Sequence, residues 1–361
     1  MRVLELFSGI GGMHYALRES KVPGEIVAAV DINTIANQVY KENFTSTNLI
    51  QGNIQGLSLE TIKSLKPNII LMSPPCQPFT RVGLKKDIAD VRTDALMYIL
   101  SLLPKFGIDL QYILLENVMG FETSDSCSRL LDVIKEEGFI YQQFLLSPLQ
   151  FSIPNSRKRY YLIGKRKPLK FVIDTHPDVV SKTVVLLFLF NLHLDGVYEP
   201  AAVKPIGKVL EFDDTDEIKY NTYLVPDKIL GRRAKILDIV TKDSLRSCCF
   251  TKAYTHYAEG TGSVYCPYSE ESIRKCYQEA EKYSLGTVEY VEALKELRLR
   301  YFTPKEVSRL MCFPEDFQFP AGVTEKQKYR LLGNSINVKV VAVLINLLCS
   351  AREYNEMGKS L

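Results

Sequence analysis

One stretch decides how this chain folds: Leu71-Met72-Ser73-Pro74-Pro75-Cys76-Gln77-Pro78-Phe79-Thr80-Arg81. The apolar run 69–72 predicts a buried strand, and proline cannot donate to a sheet ladder, so the strand must end at Ser73. Cys76 then sits on a stiff turn at the carboxyl end of a strand, where open α/β sheets place their chemistry. Its thiol could be a nucleophile or a small buried hydrophobe, and Cys76 alone does not separate the two.

The composition is that of an ordinary globular protein, with 361 residues of which 46% are hydrophobic and 24% charged. This length predicts a sizeable core and two domains. A net charge of +3 neither requires nor excludes a nucleic-acid partner, so any basic surface must be local. The eight cysteines form no C-x-x-C pair and have no histidines at zinc spacing, which predicts free thiols, no metal and a reducing, intracellular setting.

No segment predicts secretion or membrane insertion. Residues 2–7 already favour a strand rather than a signal peptide, and the longest apolar run, 184–190, is too short to cross a bilayer.

A glycine-rich turn, Phe7-Ser8-Gly9-Ile10-Gly11-Gly12, joins a short predicted strand (2–6) to a predicted helix (13–19). Strand, glycine turn and helix form a nucleotide-binding arrangement, because glycines let backbone approach a ligand and the helix offers free N–H groups. The pattern is not G-x-G-x-x-G, which argues against a nicotinamide dinucleotide. The alternative is a tight turn that needs glycines for its own geometry.

Two further strand ends complete the pattern. Strand 26–30 ends at Asp31, about 20 residues past the glycines, which suits a ribose diol. The alternative is that Asp31 caps the helix that starts near Asn33. Asn53 and Ile54 follow a third strand, where they could border an adenine, although alone they indicate only a turn.

Charged residues follow the later strands. The loop from Phe79 to Asp94 is basic, which suits a phosphate-bearing substrate or, alternatively, a solvated surface. Glu116 closes strand 112–115, where a carboxylate beside Cys76 would have a raised pKa and act as an acid, or would cap a helix. Arg157 and Arg159 are two apart at a strand edge and should point to one face, towards an anionic or carbonyl-rich partner.

After residue 165 the α/β alternation stops, which predicts a second domain. The segment 247–263 combines polar, aromatic and glycine residues and could contact a nucleic acid or form a packed hairpin. Thr303-Pro304-Lys305-Glu306 predicts a helix start with a capping box, and Gly333-Asn334-Ser335-Ile336-Asn337-Val338 precedes an apolar helix that ends near Leu348.

Taken in order, these motifs resemble those of the cytosine-C5 methyltransferases. The matching segments are F-S-G-I-G-G (7–12), P-P-C-Q-P-F-T (74–80), E-N-V (116–118), the arginine pair after N-S (155–159) and G-N-S-I-N-V (333–338). The segment C-F-T (249–251) resembles the subfamily that methylates aspartate transfer RNA.

The resemblance implies a fold and a domain plan. The fold is a doubly wound, Rossmann-like α/β domain that binds S-adenosylmethionine, made of residues 1–168 and 325–361. A smaller target-recognition domain, residues 169–324, is inserted into it. The segment 333–335 is expected to pack beside residues 7–12 and complete the cofactor site.

The resemblance also implies a mechanism. The Cys76 thiolate adds to C6 of cytosine, and C5 then takes the methyl group from the sulfonium of S-adenosylmethionine. Glu116 would donate to N3, and Arg159, with Arg157 behind it, would hold O2. The expected cofactor residues are Phe7, Ser8, Gly9, Ile10, Gly11, Gly12, Asp31, Ile32, Asn53, Ile54, Pro74, Asn334 and Ser335. The expected substrate contacts are Arg81, Lys85, Lys86, Cys249, Phe250, Thr251, Lys252 and Tyr254.

Partners follow from the resemblance as expectations: transfer RNA, with tRNA-Asp favoured and cytosine 38 the target, weak binding of DNA, no membrane, no metal and a monomeric enzyme of cytoplasm and nucleus. Two alternatives remain open at this point. One is a DNA cytosine-C5 methyltransferase, and the other is a non-catalytic nucleic-acid-binding protein that kept the fold.

Overall fold

The computed structural model describes residues 1–75, 94–173, 180–181 and 202–350. The chain divides into two compact units, each discontinuous in sequence. Unit 1 takes residues 1–146, 158–200 and 338–361, and unit 2 takes residues 147–157 and 201–337. These boundaries differ from the expected plan of 1–168, 169–324 and 325–361, because 147–157 and 325–337 fall in unit 2 and 169–200 in unit 1. The apolar run 184–190 lies outside the described residues.

Unit 1 is built on a mixed sheet in the order β3-β2-β1-β4-β5-β7-β6-β8. Strands β1 to β5 pair in parallel, whereas β7 runs antiparallel to both β5 and β6. Its strands are β1 Arg2–Leu6, β2 Glu25–Asp31, β3 Leu49–Gln51, β4 Ile69–Met72, β5 Tyr112–Val118, β6 Phe139–Leu146, β7 Arg159–Arg166 and β8 Val180–Ser181.

Three of the helices of unit 1 begin at a residue whose side chain caps them. Asn33 accepts hydrogen bonds from the N–H groups of Ile35 and Ala36, and Ser58 and Ser124 cap the next helices in the same way. The helices are α1 Gly12–Ser20, α2 Thr34–Asn43, α3 Leu59–Leu65, α4 Asp94–Leu102, α5 Asp125–Glu136 and α12 Val338–Cys349.

The predicted strands 2–6 and 69–72 are confirmed as β1 and β4. The prediction that a strand ends before Glu116 is wrong, because β5 continues to Val118. Antiparallel pairing explains the extension: Glu116 is opposite Tyr161, and Val118 is opposite Arg159.

Helix α12 returns to unit 1 from the far part of the sequence and packs against α1, β5 and β7. Nine of its residues are buried, and Lys339 adds an ion pair to Glu19 at 3.0 Å. Among the described residues, the stretch 325–349 contains an 18-residue segment long and apolar enough to cross a membrane, but 78% of that segment is buried inside the protein. Such burial is what a core helix shows.

Unit 2 carries a small sheet, β11-β10-β9, and its own apolar core. Its strands are β9 Asp238–Val240, β10 Ser263–Tyr265 and β11 Arg300–Tyr301. Its helices are α6 Glu217–Thr222, α7 Asp227–Arg233, α8 Glu270–Ala280, α9 Val288–Lys295, α10 Pro304–Leu310 and α11 Glu325–Asn334. The predicted capping box at Thr303 and Glu306 is confirmed at the start of α10. The segment 333–338 leads into α12, which begins at Val338, although its first two residues, Gly333 and Asn334, still belong to α11.

Candidate active site

The sheet of unit 1 reverses its order of growth between β1 and β4, and this switch point is where open α/β sheets bind ligands. Two hydrogen bonds tie the strand ends there. Ser73 Oγ donates to the carbonyl of Phe7 at 3.2 Å, and Asn117 Nδ2 approaches the carbonyl of Pro74 at 3.5 Å. The ends of β1, β4 and β5 therefore form one connected edge. Cys76 lies outside the described residues, as do Arg81, Lys85 and Lys86.

The glycine turn after β1 needs its glycines. Gly9 and Gly11 have φ values of 53° and 83°, which glycine adopts without strain. A Cβ on Gly11 would lie 2.5 Å from Cε2 of Phe44, so side chains are excluded there. Around Gly9 no described atom lies within 4 Å of where a Cβ would be, which leaves space for a ligand. Phe7 is itself left-handed, with φ 57°, and such strain is typical of functional turns.

Asp31 is joined to this turn through its side chain. Its Oδ2 accepts from the N–H of Gly9 at 2.8 Å and its Oδ1 from the N–H of Asn33 at 2.7 Å. Burial raises the pKa of the Asp31 carboxyl, and the two N–H donors act in the opposite direction. The alternative that Asp31 is the helix cap is wrong, since the Asn33 side chain caps α2. The Asp31 carboxylate therefore does not cap α2, and it lies beside the glycine turn.

The surroundings of the turn fit a cofactor with a ribose and a base. Ser8 Oγ is buried and has no hydrogen-bond partner among the described residues, so it can bond to a ligand. Ile32 is 67% exposed directly after Asp31, where an apolar side chain can cover a ring. Asn53 is exposed, and its side chain caps a short 3₁₀ turn.

Two of the predicted cofactor contacts have buried side chains. Ile10 and Ile54 are only 2% and 3% exposed, because their side chains pack into the protein interior. Only their backbone remains to face a ligand. Gly12 is the first residue of α1, and Pro74 is buried next to the end of β4.

A buried polar chain lies below the turn. Tyr40 Oη donates to Oε2 of Glu5 at 2.8 Å, and His14 Nδ1 lies 2.9 Å from the same hydroxyl. The His14 ring stacks on Phe44 with centroids 3.7 Å apart. Burial raises the pKa of the Glu5 carboxyl to about 8 and lowers the pKa of His14 to about 4, helped by the charge of Arg18. Glu5 therefore carries a proton and His14 is neutral at pH 7.

Glu116 and Arg159 meet across β5 and β7. Arg159 pairs with Val118 in the ladder, so it is a diagonal neighbour of Glu116 on the same face. Arg159 Nε lies 3.5 Å from Glu116 Oε1, and both side chains are largely buried. The arrangement holds a carboxyl group and a guanidinium side by side next to the end of β4.

Arg157 does not share a strand face with Arg159, so that prediction is wrong. β7 begins at Arg159, and Arg157 precedes it in unit 2. Its Nη1 donates to the carbonyl of Phe250 at 2.9 Å, and its Nη2 donates to the carbonyls of Gly333, at 3.0 Å, and Ser335. The buried guanidinium thus joins two distant segments of unit 2, which makes Arg157 a positioning residue.

The same two segments touch directly. A Cβ on Gly333 would lie 2.2 Å from the backbone at Thr251 and Lys252, so only glycine fits. Cys249 Sγ lies 3.4 Å from Nη1 of Arg157. Asn334 is exposed and Ser335 half-buried, and the packing of 333–335 beside the glycine turn stays a prediction.

Phe250 and Tyr254, two of the predicted substrate contacts, do not expose their rings. Both rings are buried, at 2% and 4% exposure, and they pack edge-to-face on each other. Tyr254 Oη donates to the carbonyl of Ser263 and accepts from the N–H of Phe302. Lys252 is exposed, and Cys249 and Thr251 are half-buried, so these three can still face a substrate.

Sequence reasoning missed Ser73, Asn117 and the partners of Glu5. Ser73 follows β4 three residues before Cys76, and Asn117 follows Glu116 directly, positions that could have marked both. Tyr40 and His14 carry no such signal, because only the fold brings them to Glu5. Within the described ranges, no group of three or more His, Cys, Asp or Glu residues could hold a metal ion.

A doubly wound sheet with a glycine turn and a buried acid at its switch point, and with a Glu–Arg pair on the neighbouring strands β5 and β7, fits an enzyme that binds a nucleotide-type cofactor. The family model described as C-5 cytosine-specific DNA methylase matches residues 1–349. The chain belongs to this family and is a methyltransferase.

Three relatives illustrate the match. A tRNA (cytosine(38)-C(5))-methyltransferase of Spodoptera frugiperda is 48% identical over 96% of this chain and 98% of its own length. A DNA (cytosine-5)-methyltransferase of Dictyostelium discoideum is 37% identical over 98% and 95%. The crystal structure of a Spodoptera frugiperda DNMT2 mutant superposes with a TM-score of 0.85 at 46% identity, covering 97% of this chain and 99% of that one.

Proposed function

We propose that this protein methylates C5 of cytosine in transfer RNA, at cytosine 38 of tRNA-Asp, with S-adenosylmethionine as methyl donor. The observation that carries the chemistry is the Glu116–Arg159 pair, held at 3.5 Å beside the end of β4. The observation that favours tRNA is the 48% identity to an enzyme named for that activity. We further propose that it acts as a monomer in cytoplasm and nucleus.

The residues divide the reaction between them. The Cys76 thiolate forms a bond to C6 of cytosine, which makes C5 nucleophilic, while Glu116 donates a proton to N3 and Arg159 binds O2. S-adenosylmethionine supplies the methyl group that C5 takes. A base then removes the C5 proton, the C6–S bond breaks, the thiolate of Cys76 leaves and N3 returns its proton to Glu116.

The cofactor site follows from the turn after β1. Asp31 accepts hydrogen bonds from a ribose diol, and Ser8 Oγ and the open space at Gly9 face the ligand. Ile32 and Asn53 border the adenine. A protonated Glu5 near the start of α1 adds no full negative charge beneath the turn.

The substrate base must be out of any stack before Cys76 can reach C6. A tRNA loop already presents unstacked bases, so capture costs less than from a duplex. Duplex DNA is a second candidate substrate, because a relative at 37% identity is named a DNA (cytosine-5)-methyltransferase.

Labelled-methyl transfer to total small RNA and to genomic DNA, run in parallel, tests the proposal. We expect label in RNA, mapped by bisulfite sequencing to cytosine 38 of tRNA-Asp and lost in cells lacking the protein. Cys76→Ser should abolish transfer and leave cofactor binding intact. Label in DNA with unchanged tRNA would move the assignment to the DNA substrate, and near-normal turnover by Cys76→Ser would reject the covalent route.

A further inference from the structure

The loop 251–262 of unit 2 carries an exposed aromatic side chain at its tip. Tyr257 is 64% exposed, although the two aromatic residues just before it, Phe250 and Tyr254, are buried. His256, which is also exposed, packs edge-to-face on it with ring centroids 4.7 Å apart. A large exposed ring at the tip of a loop needs an explanation that core packing does not give.

The backbone that carries this ring is fixed. The N–H groups of His256 and Tyr257 both donate to the carbonyl of Ala253, at 2.9 and 3.1 Å. Thr261 Oγ1 donates to the carbonyl of Tyr257 from the other arm of the loop. Thr255 is left-handed, with φ 68°, and a β-branched residue persists there only where its surroundings enforce it.

The base of the loop is equally fixed. The N–H of Thr251 donates to the carbonyl of Thr261 at 2.9 Å. A Cβ on Gly262 would lie 2.6 Å from the Tyr254 ring. The peptide at 251–252 also packs directly on Gly333. The Tyr257 ring is thus presented to solvent on an ordered support, so little backbone entropy is lost when a ligand binds it.

The charges of the loop favour stacking over phosphate attraction. Lys252 and Glu259 are both exposed on it, so its formal charges cancel. Unstacked RNA bases bind to exposed aromatic faces, and this needs no net charge. We propose that Tyr257 is a base-stacking residue that binds an unpaired base of the RNA substrate. This inference rests on the proposed function, because it takes RNA as the substrate.

The chain contains no tryptophan, which gives a direct test. Tyr257→Trp creates a single-tryptophan protein whose fluorescence should be quenched when tRNA or its anticodon stem-loop is added. Tyr283→Trp is the matched control, since Tyr283 is 42% exposed in the same unit but is not part of this loop, and we expect its emission to stay unchanged. Absence of quenching in Tyr257→Trp, with tRNA binding intact by filter retention, overturns the proposal. Failure of the unmodified protein to bind tRNA rejects the proposed function instead.

Kinetics give a second, independent readout. Tyr257→Ala should raise KM for tRNA by roughly 5- to 150-fold, the range measured for loss of one base stack, with kcat and the Kd of S-adenosylmethionine unchanged. Tyr257→Phe should keep the wild-type KM, because the ring face rather than the hydroxyl binds. A Phe variant as impaired as the Ala variant overturns the assignment.

Salt dependence separates stacking from charge. The slope of log KM against log salt should be the same in Tyr257→Ala as in the unmodified protein. A variant that loses one phosphate contact on a single strand would instead show a slope smaller by about 0.7. A changed slope in Tyr257→Ala would show that the loop acts through charge and would overturn the proposal.

Discussion

At the scale of single residues, Asp31 illustrates how one carboxylate can serve both fold and ligand. Oδ2 accepts a hydrogen bond from the N–H of Gly9, and Oδ1 accepts one from the N–H of Asn33. A carboxylate oxygen can accept more than one hydrogen bond, so a ligand hydroxyl can also donate to this group. The side chain therefore shapes the turn and can accept from a ribose.

We expect Asp31→Ala to weaken S-adenosylmethionine binding by roughly 1.5–3 kcal/mol, the usual loss for hydrogen bonds to a charged group. Titration calorimetry measures it. Asn33→Ala is the control: it removes the cap of α2 and should lower the free energy of unfolding by about 1 kcal/mol while leaving the cofactor Kd unchanged. Equal cofactor Kd values for Asp31→Ala and the unmodified protein would leave Asp31 with a structural role only.

The contacts of Arg157 could not be predicted from the sequence around it. The period of two that places Arg157 and Arg159 on one face holds only inside a strand, and β7 begins at Arg159. The acceptors of Arg157 lie about 90 and 180 positions further along the chain, and no local pattern signals them. In contrast, β1 and β4 are predictable because apolar runs are bounded by glycine and proline.

At the scale of elements, Arg157 binds the C-F-T segment to the end of α11. We expect Arg157→Ala to lower the free energy of unfolding by on the order of 3 kcal/mol, because buried carbonyls lose their donor, and to raise KM for tRNA. Guanidinium ion at non-denaturing concentration should restore KM, whereas methylammonium should not, since it cannot reach several carbonyls from one plane. Equal rescue by both ions would indicate that charge alone matters.

The two capping boxes of unit 2 make a natural comparison between buried and exposed helix starts. Glu306 closes the capping box of α10. Its carboxylate also accepts hydrogen bonds from Nη1 and Nη2 of Arg300, each at 2.9 Å, and neither side chain is exposed. Gln327 closes the exposed box of α11. Removing the charge of Glu306 leaves a buried cation, whereas changing Gln327 does not.

Glu306→Gln should therefore destabilise the protein by about 3–5 kcal/mol, and Gln327→Ala by no more than about 1 kcal/mol. Urea denaturation of both variants measures the difference. Similar midpoints for the two would mean that the Arg300–Glu306 pair adds nothing to the cap.

The boundaries of a helix or strand were predictable only where its own sequence determines them, without pairing to a distant segment. The run 112–115 looked complete because Glu116 and Asn117 are polar, but pairing with β7 carries β5 to Val118. The burial of Tyr254 likewise depends on Phe302 and on the missing side chain of Gly262. Partners distant in sequence set both outcomes.

At the scale of the whole molecule, two buried groups set how stability depends on pH. Glu5 releases its proton near pH 8 when folded and near 4.5 when unfolded, so its contribution is lost as pH rises through 8. His14 behaves oppositely, since its pKa falls from 6.5 to about 4, and its contribution is lost as pH falls through 4. The two slopes cancel between pH 4.5 and 6.5.

Between pH 6.5 and 8, of these two groups only Glu5 still makes the free energy of unfolding depend on pH. For one proton this dependence is about 1.4 kcal/mol per pH unit. We expect the free energy of unfolding to decrease with pH in this window. Glu5→Gln, which keeps the shape and cannot ionise, should flatten the dependence, as urea titrations at several pH values would show. An unchanged slope in that variant would assign the effect to another group.

The return of α12 to unit 1 affects how the chain folds while it is being synthesised. The strands around the switch point leave the exit tunnel early, but β4 ends at Met72 and the helix that covers α1, β5 and β7 begins only at Val338. At roughly 5–20 residues per second, this is a wait on the order of ten seconds to a minute. During that time the nascent chain must keep the apolar surface that α12 will bury out of contact with other chains, so chaperone binding should concentrate on this interval of synthesis.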